Sequence, residues 1–277
     1  MIKIQNLSFA YNRLPVFSDI DLEFSKGCIY GLLGENGVGK TTLLKLISGL
    51  LRPQQGTCQV NGFSSQDRLP EMLSDMFFLP DAVVLPVGRT PMQYVQGLRP
   101  FYPRFSQQRL DEMMRLLEVD ATRRFSEMSY GQQKKCLIAC AMSMGTRYLL
   151  LDEPTNGLDI PSKSQFRSLL SHQISDDSTI LISTHQVKDV ENLIDPIVIL
   201  SRQGVLMNAS IEAISHKLLF EYGVERHPEA LFSEILPGGW LNVLVNTTGE
   251  ETPVNIEALF NTVHQNPVTI NELFKTK

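Results

Sequence analysis

Residues 34–41 read GENGVGKT, an order of residue types that could hold the phosphates of a nucleotide. Glycines in such a loop lack the Cβ atoms that would keep a phosphate away from backbone N–H donors. Lys40 adds a positive charge, and the hydroxyl of Thr41 suits a magnesium ion. The apolar run CIYGLL precedes the loop and the helical pattern TTLLKLISGL follows it. Strand, loop and helix in this order predict a phosphate-binding loop that ends at a helix N-terminus.

A second apolar strand pattern, YLLLDEP, ends in the carboxylates of Asp152 and Glu153. Ligands of parallel α/β sheets bind beyond the carboxyl ends of the strands, which is where the phosphate-binding loop also lies. We therefore expect Asp152 to hold Mg²⁺ and Glu153 to take a proton from an attacking water. The alternative, two surface acids at a strand end, is disfavoured because YLLL is too apolar for the edge of a sheet.

Two side chains and one segment each have two interpretations from the residues alone. Tyr11, beside the turn NRLP, could stack on an adenine ring or be an ordinary packed aromatic. His185 follows the strand pattern TILIS on the same side of the sheet, where it could serve the site or be structural. The segment LRPFYPRF at residues 98–105 could be a docking surface for a partner or a packed loop.

The remaining elements predict an α/β core with a helical insertion. IKIQNLSF and VFSDIDLEF form a predicted hairpin, CQVNG and MFFLP are short strands, and IVILSRQGVLMN is a closing hairpin. The sequence pattern of residues 83–146 predicts amphipathic helices, one of them capped by Ser106. In residues 211–277 we expect helical pieces around WLNVLVN and find no chemical motif.

Composition is that of an ordinary globular protein with an acidic balance. The 277 residues are 43% hydrophobic and contain 25 Lys+Arg against 30 Asp+Glu, which argues against a nucleic-acid partner. No run reaches the roughly 20 apolar residues of a membrane span, and MIKIQNLSF lacks a signal-peptide core, so we expect a cytoplasmic location. We expect the four cysteines to be reduced core residues, because no further ligands stand at metal spacing.

Taken in order, these motifs resemble the ATP-binding subunit of ATP-binding cassette (ABC) transporters over about residues 1–210. GENGVGKTT resembles the Walker A motif, LLLDEP the Walker B motif, MSYGQQ the ABC signature, TNGLD the D-loop and STH the switch histidine. The resemblance implies an ABC-type P-loop ATPase core with an N-terminal antiparallel β subdomain and a helical insertion at about 83–146. Residues 211–277 would form a small C-terminal accessory region.

The resemblance also assigns roles to individual residues. It favours adenine stacking for Tyr11 and implies catalytic roles for Glu153 and His185. The metal ligands it implies are Thr41, Asp152 and Asp81. The nucleotide-binding residues it implies are Tyr11, Gly34, Asn36, Gly37, Gly39, Lys40, Thr41, Thr42, Ser129, Gly131, Gln132 and Asp159.

Two positions depart from the family's pattern. The usual signature LSGGQ is here MSYGQ, with Tyr130 in place of the first glycine. Asp81 stands at the Q-loop, where the family commonly has glutamine, and an acid in the context FLPD resembles exporter-type cassettes. Whether Asp81 would reach Mg²⁺ or the attacking water is left open by the sequence.

The implied function is ATP hydrolysis in a head-to-tail homodimer or heterodimer that drives separate integral membrane permease subunits. Lys40 and Mg²⁺ would neutralise phosphate charge, Glu153 would polarise water, and His185 and Ser129 from opposite copies would hold the γ-phosphate. ATP and Mg²⁺ are the implied cofactors. The chain would lie peripherally at the inner face of the cell membrane, docked through residues 81–105, and export is favoured by Asp81.

An alternative from another class is a soluble cassette protein with a regulatory, ribosome-related or DNA-related role. The sequence has one cassette rather than two in tandem, no heptad-bearing insertion and no basic face. These features favour transport.

Overall fold

The computed structural model describes residues 1–86 and 88–274. Position 87 of the predicted helical insertion and residues 275–277 of the predicted accessory region lie outside the described residues. The strands are β1 (Ile2–Tyr11), β2 (Leu14–Phe24), β3 (Cys28–Leu33), β4 (Gln55–Val60), β5 (Phe63–Ser64), β6 (Met76–Leu79), β7 (Tyr148–Asp152), β8 (Thr179–Thr184), β9 (Ile197–Ser201), β10 (Gly204–Ala209), β11 (Leu218–Gly223), β12 (Phe232–Leu236) and β13 (Gly239–Val245). The α-helices are α1 (Lys40–Ile47), α2 (Pro70–Leu73), α3 (Pro91–Leu98), α4 (Gln107–Leu116), α5 (Tyr130–Ser143), α6 (Ile160–Gln173), α7 (Ile211–Lys217), α8 (Ile256–Gln265) and α9 (Pro267–Phe274).

The central sheet has the strand order β10-β9-β3-β8-β7-β6, with β9 to β6 parallel and β10 antiparallel at one edge. Its parallel strands are short continuous apolar runs because helices or a second sheet cover both faces. Leu33 pairs with Thr184, and Asp152 pairs with Ser183. The ends of three neighbouring strands therefore bring the predicted phosphate loop, acids and histidine to one edge.

The N-terminal residues form an antiparallel sheet of order β2-β1-β4-β5. The predicted hairpin of β1 and β2 is confirmed, and Tyr11 pairs with Leu14 at its end. Alternate side chains of both strands, such as Ile4, Phe17 and Phe24, are buried. This sheet stands beside the phosphate-binding loop and places Tyr11 at the loop's rim.

The predicted helical insertion contains α3, α4 and α5. The predicted cap at Ser106 is confirmed, since its hydroxyl accepts a hydrogen bond from the Arg109 amide at 3.2 Å. Thr90 caps α3 in the same way, with Gln93 closing a reciprocal capping box. Such caps satisfy amide donors that a helix start leaves without partners, and so fix where each helix begins.

Two hydrophobic cores pack on opposite faces of the central sheet. The β-side core lies between this sheet, α1 and the N-terminal sheet, and includes Leu32 and Leu150. The helical-side core lies under α3 to α6 and the C-terminal region, and includes Leu33 and Leu151. Neighbouring residues of one strand join different cores because strand side chains alternate between faces.

Residues 211–274 contain helical pieces, α7, α8 and α9, on both sides of WLNVLVN, but WLNVLVN itself is not helical. These residues form β13, the middle strand of a sheet of order β11-β13-β12. Leu241, Asn242, Val243 and Leu244 are all buried, so both faces of the strand are covered and no alternation is visible in the sequence. A short apolar run of this kind does not distinguish a buried strand from a buried helix.

Candidate nucleotide-binding site

The predicted phosphate-binding loop runs from the end of β3 to the start of α1. Gly39 has a φ of 111°, and a Cβ there would lie 2.7 Å from Val16 and 2.8 Å from the Phe17 ring. Gly37 also has a positive φ, 83°, but its Cβ position faces open space. The glycines therefore allow both the left-handed backbone and the close approach of the loop to β2.

Lys40 begins α1 and points back into the loop. Its ammonium donates to the carbonyl oxygens of Gly34 at 2.7 Å and Glu35 at 3.2 Å, and lies 3.7 Å from Glu153 Oε1. The residue is only 6% exposed. Burial lowers the pKa of Lys40, while Glu153 and Asp152 act in the opposite direction. The loop thus holds a positive charge where phosphate oxygens would enter.

Thr41 and Asp152 meet beside this lysine. The Thr41 hydroxyl donates to Asp152 Oδ2 at 2.7 Å, and Ser183 donates to the other carboxylate oxygen. Hydroxyl and carboxylate oxygens are ligands that Mg²⁺ accepts, and in nucleotide sites that ion takes its remaining ligands from phosphates and water. The donor set therefore fits magnesium. Among the described residues, no group of three or more His, Cys, Asp or Glu is placed to hold a metal by itself.

Glu153 lies buried between Lys40 and His185. His185 Nδ1 is 2.9 Å from Glu153 Oε1, and the His185 amide donates to Oε2 at 3.4 Å. Glu153 has a φ of 45°, and its own amide donates to the Ser183 carbonyl at 3.0 Å. A non-glycine residue in the left-handed region is strained, and this pairing with β8 holds it there. The carboxylate is thereby held between the lysine and the histidine.

Lys40, Thr41 and Glu153 open onto a cleft of about 390 Å³ above the N-terminus of α1. Tyr11 stands at its rim with the ring partly exposed and packed edge-on against Phe9, and its hydroxyl accepts from Thr42 at 3.4 Å. Asp81 reaches the rim from the end of β6. The predicted residues that line this cleft are Tyr11, Asn36, Gly37, Gly39, Lys40, Thr41, Thr42, Asp81 and Glu153.

The predicted signature and D-loop residues are not among those that line this cleft. Ser129 is the N-cap of α5 and forms a capping box with Gln132. Asp159 caps α6 through Ser162, whose hydroxyl and amide lower the pKa of the Asp159 carboxyl. Ser129 and Asp159 are both exposed. In a single copy, the predicted phosphate loop and the predicted signature therefore lie on separate surfaces.

Tyr130, which replaces the first signature glycine, packs its ring against Gly157 of the D-loop. A Cβ on Gly157 would lie 2.5 Å from that ring, and a Cβ on Gly131 would lie 2.8 Å from the Gly157 carbonyl. The aromatic side chain is half exposed. Tyr130 therefore connects the start of α5 to the D-loop of the same chain, and Gly131 lies next to this contact.

Sequence reasoning missed three residues that contact the predicted ones. Ser183 holds Asp152, while Lys134 and Asn156 both contact the Asp81 carboxylate. Lys134 could have been found from the sequence because it is a cation in an otherwise buried part of α5. Ser183 could have been found because it lies at the end of β8. Nothing in the sequence marked the pairing of Asn156 with a residue 75 positions away.

The C-terminal region also reaches this edge of the sheet. Glu234, Glu257 and Phe260 line a second cleft, of about 480 Å³, together with His185 and Asn36. An ion pair of 2.9 Å joins Lys188 to Glu257 on α8. Residues of the predicted accessory region therefore lie against the segment that follows the histidine.

The segment LRPFYPRF is packed at one aromatic residue and exposed at the next. Tyr102 is half buried and packs on Phe77 with ring centroids 5.5 Å apart, whereas Phe101 is 67% exposed. Both line a mainly apolar groove of about 770 Å³ with Leu50, Phe78 and Leu98. The groove lies on the helical insertion near the end of α1.

Comparison with known proteins gives matches over most of the chain. A family model described as ABC transporter matches residues 17–156. The chain is 28% identical to the ABC transporter ATP-binding protein YtrB of Bacillus subtilis (strain 168), over 100% of this chain and 98% of that protein. It is 30% identical to the ABC transporter ATP-binding protein NatA of the same organism, over 71% of this chain and 82% of that protein.

A solved structure of an ATP-binding subunit of an ABC transporter has the same fold. It superposes with a TM-score of 0.70 at 26% identity and covers 77% of this chain and 91% of its own. None of the helices within residues 1–86 and 88–274 is long and apolar enough to cross a membrane.

Proposed function

Because this chain belongs to the ABC transporter family as an ATP-binding and ATP-hydrolysing subunit, we propose that it drives transport through separate membrane subunits by closing and opening a dimer around MgATP. The observation that carries this proposal is the division of the site. Lys40, Thr41 and Glu153 line one cleft, with Asp152 bonded to Thr41 and His185 bonded to Glu153 behind them. The exposed start of α5 presents Ser129 on another surface. Each copy would then supply half of a complete site.

Nucleotide binding would rest on the first half-site. The loop amides, the N-terminus of α1 and Lys40 would hold the phosphates, and the Tyr11 ring would support the adenine. Thr41 and Asp152 would hold Mg²⁺, with Asp81 as a further candidate ligand. When bound, this ion supplies positive charge that offsets the charge of the phosphate oxygens.

Hydrolysis would depend on the carboxylate of Glu153. An attacking water needs a base beside it, and Glu153 is the buried carboxylate of the cleft that lies beside Lys40. His185, at 2.9 Å, keeps that carboxylate oriented and would also hold the γ-phosphate. Lys40 would stabilise the negative charge on the phosphoryl oxygens during in-line attack.

The second half-site would come from the other copy. The Ser129 hydroxyl accepts a hydrogen bond from Gln132, so its own proton remains available for a phosphate oxygen. Gly131 and Gln132 lie in the first turn of α5, where backbone amides and the helix dipole favour an anion. Asp159 would contact the partner through the D-loop. The dimer would be head to tail, of two copies or of this chain with a related one.

The groove beside Phe101 would receive an integral membrane permease subunit, which would place the chain at the inner face of the cell membrane. An exposed apolar groove of this size suits a helix of a partner protein. Asp81 in place of the usual glutamine supports export as the direction. No nucleic acid is expected as a partner, given the net charge of −5.

Complementation between two inactive variants tests the divided site. Lys40→Ala removes the phosphate-loop charge, and Ser129→Arg obstructs the signature. Each variant alone should have little ATPase activity. Mixing them should restore activity, because half of the dimers then contain one intact site. A mixture of Lys40→Ala with Asp152→Asn, both defects in the same half, is the control and should stay inactive. Failure of the first mixture to exceed its components would refute the divided site.

A further inference from the structure

A buried cation, Lys134, lies at the fifth position of α5 and is only 2% exposed. Its neighbours one turn further along the helix, Leu137 and Ile138, are buried apolar residues. Burial lowers the pKa of the Lys134 ammonium, and Asp81 offsets this effect more than Asp152 and Glu153 do. The lysine is thus a charge held inside the protein, facing the acids of the candidate site.

Its direct partner is Asp81, at the end of β6. The Lys134 ammonium donates to the Asp81 carbonyl oxygen at 3.0 Å and lies 3.4 Å from Asp81 Oδ1. Asp81 is itself partly exposed at the rim of the nucleotide-binding cleft. One side chain therefore contacts both the backbone and the carboxylate of a residue that lines the candidate cleft.

A third residue connects this pair to the catalytic turn. The Asn156 side-chain amide donates to Asp81 Oδ1 at 3.3 Å. The Asn156 backbone amide donates to the Glu153 carbonyl at 3.2 Å, within the turn after β7. The three contacts join the end of β6, the start of α5 and the turn that carries Glu153.

We propose that Lys134 is a positioning residue for ATP hydrolysis. It holds Asp81 at the rim of the cleft and, through Asn156, keeps the turn at Glu153 in the conformation that hydrolysis requires. The inference rests on the proposed function of the cleft. A buried ammonium is costly to desolvate, and apolar residues of similar size often replace buried ion pairs without loss of stability. Lysine at this position therefore serves the site rather than the fold.

The first test compares kinetic and stability effects of Lys134→Met, which keeps the length of the side chain and removes its charge. Nucleotide affinity depends on the loop and Lys40, so the Kd for a fluorescent ATP analogue should change by less than about threefold. The maximal ATPase rate should fall by about tenfold, the scale of one lost polar contact in a network. The melting temperature should stay within a few degrees.

Arg147→Met is the matched control. Arg147 precedes β7 and pairs with Asp75, which precedes β6, so it joins the same two strands at their opposite ends. The control should keep the wild-type maximal rate, whatever its effect on melting. An equal loss of rate in both variants would mean that Lys134 acts only on stability, and would overturn the inference.

A double-mutant cycle provides the second test and does not depend on one variant. Asp81→Asn changes a partly exposed side chain. Its effect on the maximal ATPase rate is measured once in the wild-type background and once in the Lys134→Met background. If the two residues act through each other, Asp81→Asn should lower the rate several-fold in the first background and by less than about twofold in the second. Full additivity would overturn the inference. A wild-type protein without ATPase activity would instead refute the proposed function.

Discussion

Glu153→Gln gives the sharpest test of the proposed chemistry, because it removes a charge and keeps the shape. The carboxylate has two charged or chargeable neighbours, His185 Nδ1 at 2.9 Å and Lys40 Nζ at 3.7 Å. Glutamine can keep a hydrogen bond to the histidine through its amide oxygen. It adopts the backbone φ of 45° at a strain similar to that of glutamate, so we expect the fold to persist.

The expected loss of rate follows from the loss of the base. Acid–base assistance contributes about 10²-fold or more, so hydrolysis should fall by at least that factor, which corresponds to about 2.7 kcal/mol of the barrier. Binding should not weaken, because one negative charge near the γ-phosphate position has gone and Lys40 is freed from it. ATP should therefore be held without being consumed.

Two measurements check this expectation. Phosphate release gives the rate, and size-exclusion chromatography with MgATP should show a dimer that accumulates in Glu153→Gln and is missing in Lys40→Ala. Glu191→Gln, a charge removal at an exposed position after His185, is the control and should behave as wild type. Hydrolysis by Glu153→Gln at near the original rate would refute Glu153 as the base, and His185 would become the candidate.

Three further predictions concern other parts of the chain. Phe101→Asp should abolish co-purification with a membrane subunit and keep the ATPase activity of the isolated chain within twofold. Tyr222→Asp is the control, because the Tyr222 side chain is 68% exposed and that of Phe101 is 67% exposed, and it should preserve both properties. Retained co-purification in Phe101→Asp would exclude this groove. Gly39→Ala should abolish nucleotide binding because its Cβ meets Phe17, while Gly62→Ala, also at positive φ but facing open space, should bind normally. A maleimide at pH 8 should label Cys28 alone, because Cys28 is partly exposed and the other three thiols are buried. Burial raises the pKa of Cys58 to about 11 and of Cys136 to about 12, and also raises those of Cys140 and of the less buried Cys28. Rapid labelling of a second thiol would contradict this.

The sequence predicted those parts of the site that depend on local order. The loop at 34–41 could be identified because strand, glycines, lysine and helix follow one another. Asp152 could be placed because the end of an apolar strand defines one edge of a parallel sheet. The hydrogen bond from Thr41, 111 positions away, agrees with that rule.

The parts that escaped prediction depend on packing between distant segments. Lys134 and Asp81 are 53 positions apart and belong to different layers, so no periodicity links them. Asn156 contributes through a turn whose geometry is set by the backbone at Glu153. The strand β13 was mistaken for helix because burial on both faces removes the alternation that marks a strand.

The continuity of the helical-side core has a consequence for how the molecule opens. This core includes Ile138 of α5 and continues through Met207 and Ile214 to Leu241 and Leu259 of the C-terminal region. Segments that share buried contacts tend to exchange their amide hydrogens as one cooperative unit. We therefore expect the signature helix and the C-terminal sheet to show similar exchange protection, and the β-side core, with α1, to form a separate unit. The C-terminal region also lines a cleft with Asn36 of the phosphate loop, so we expect a change in that region to alter the loop as well as the signature helix.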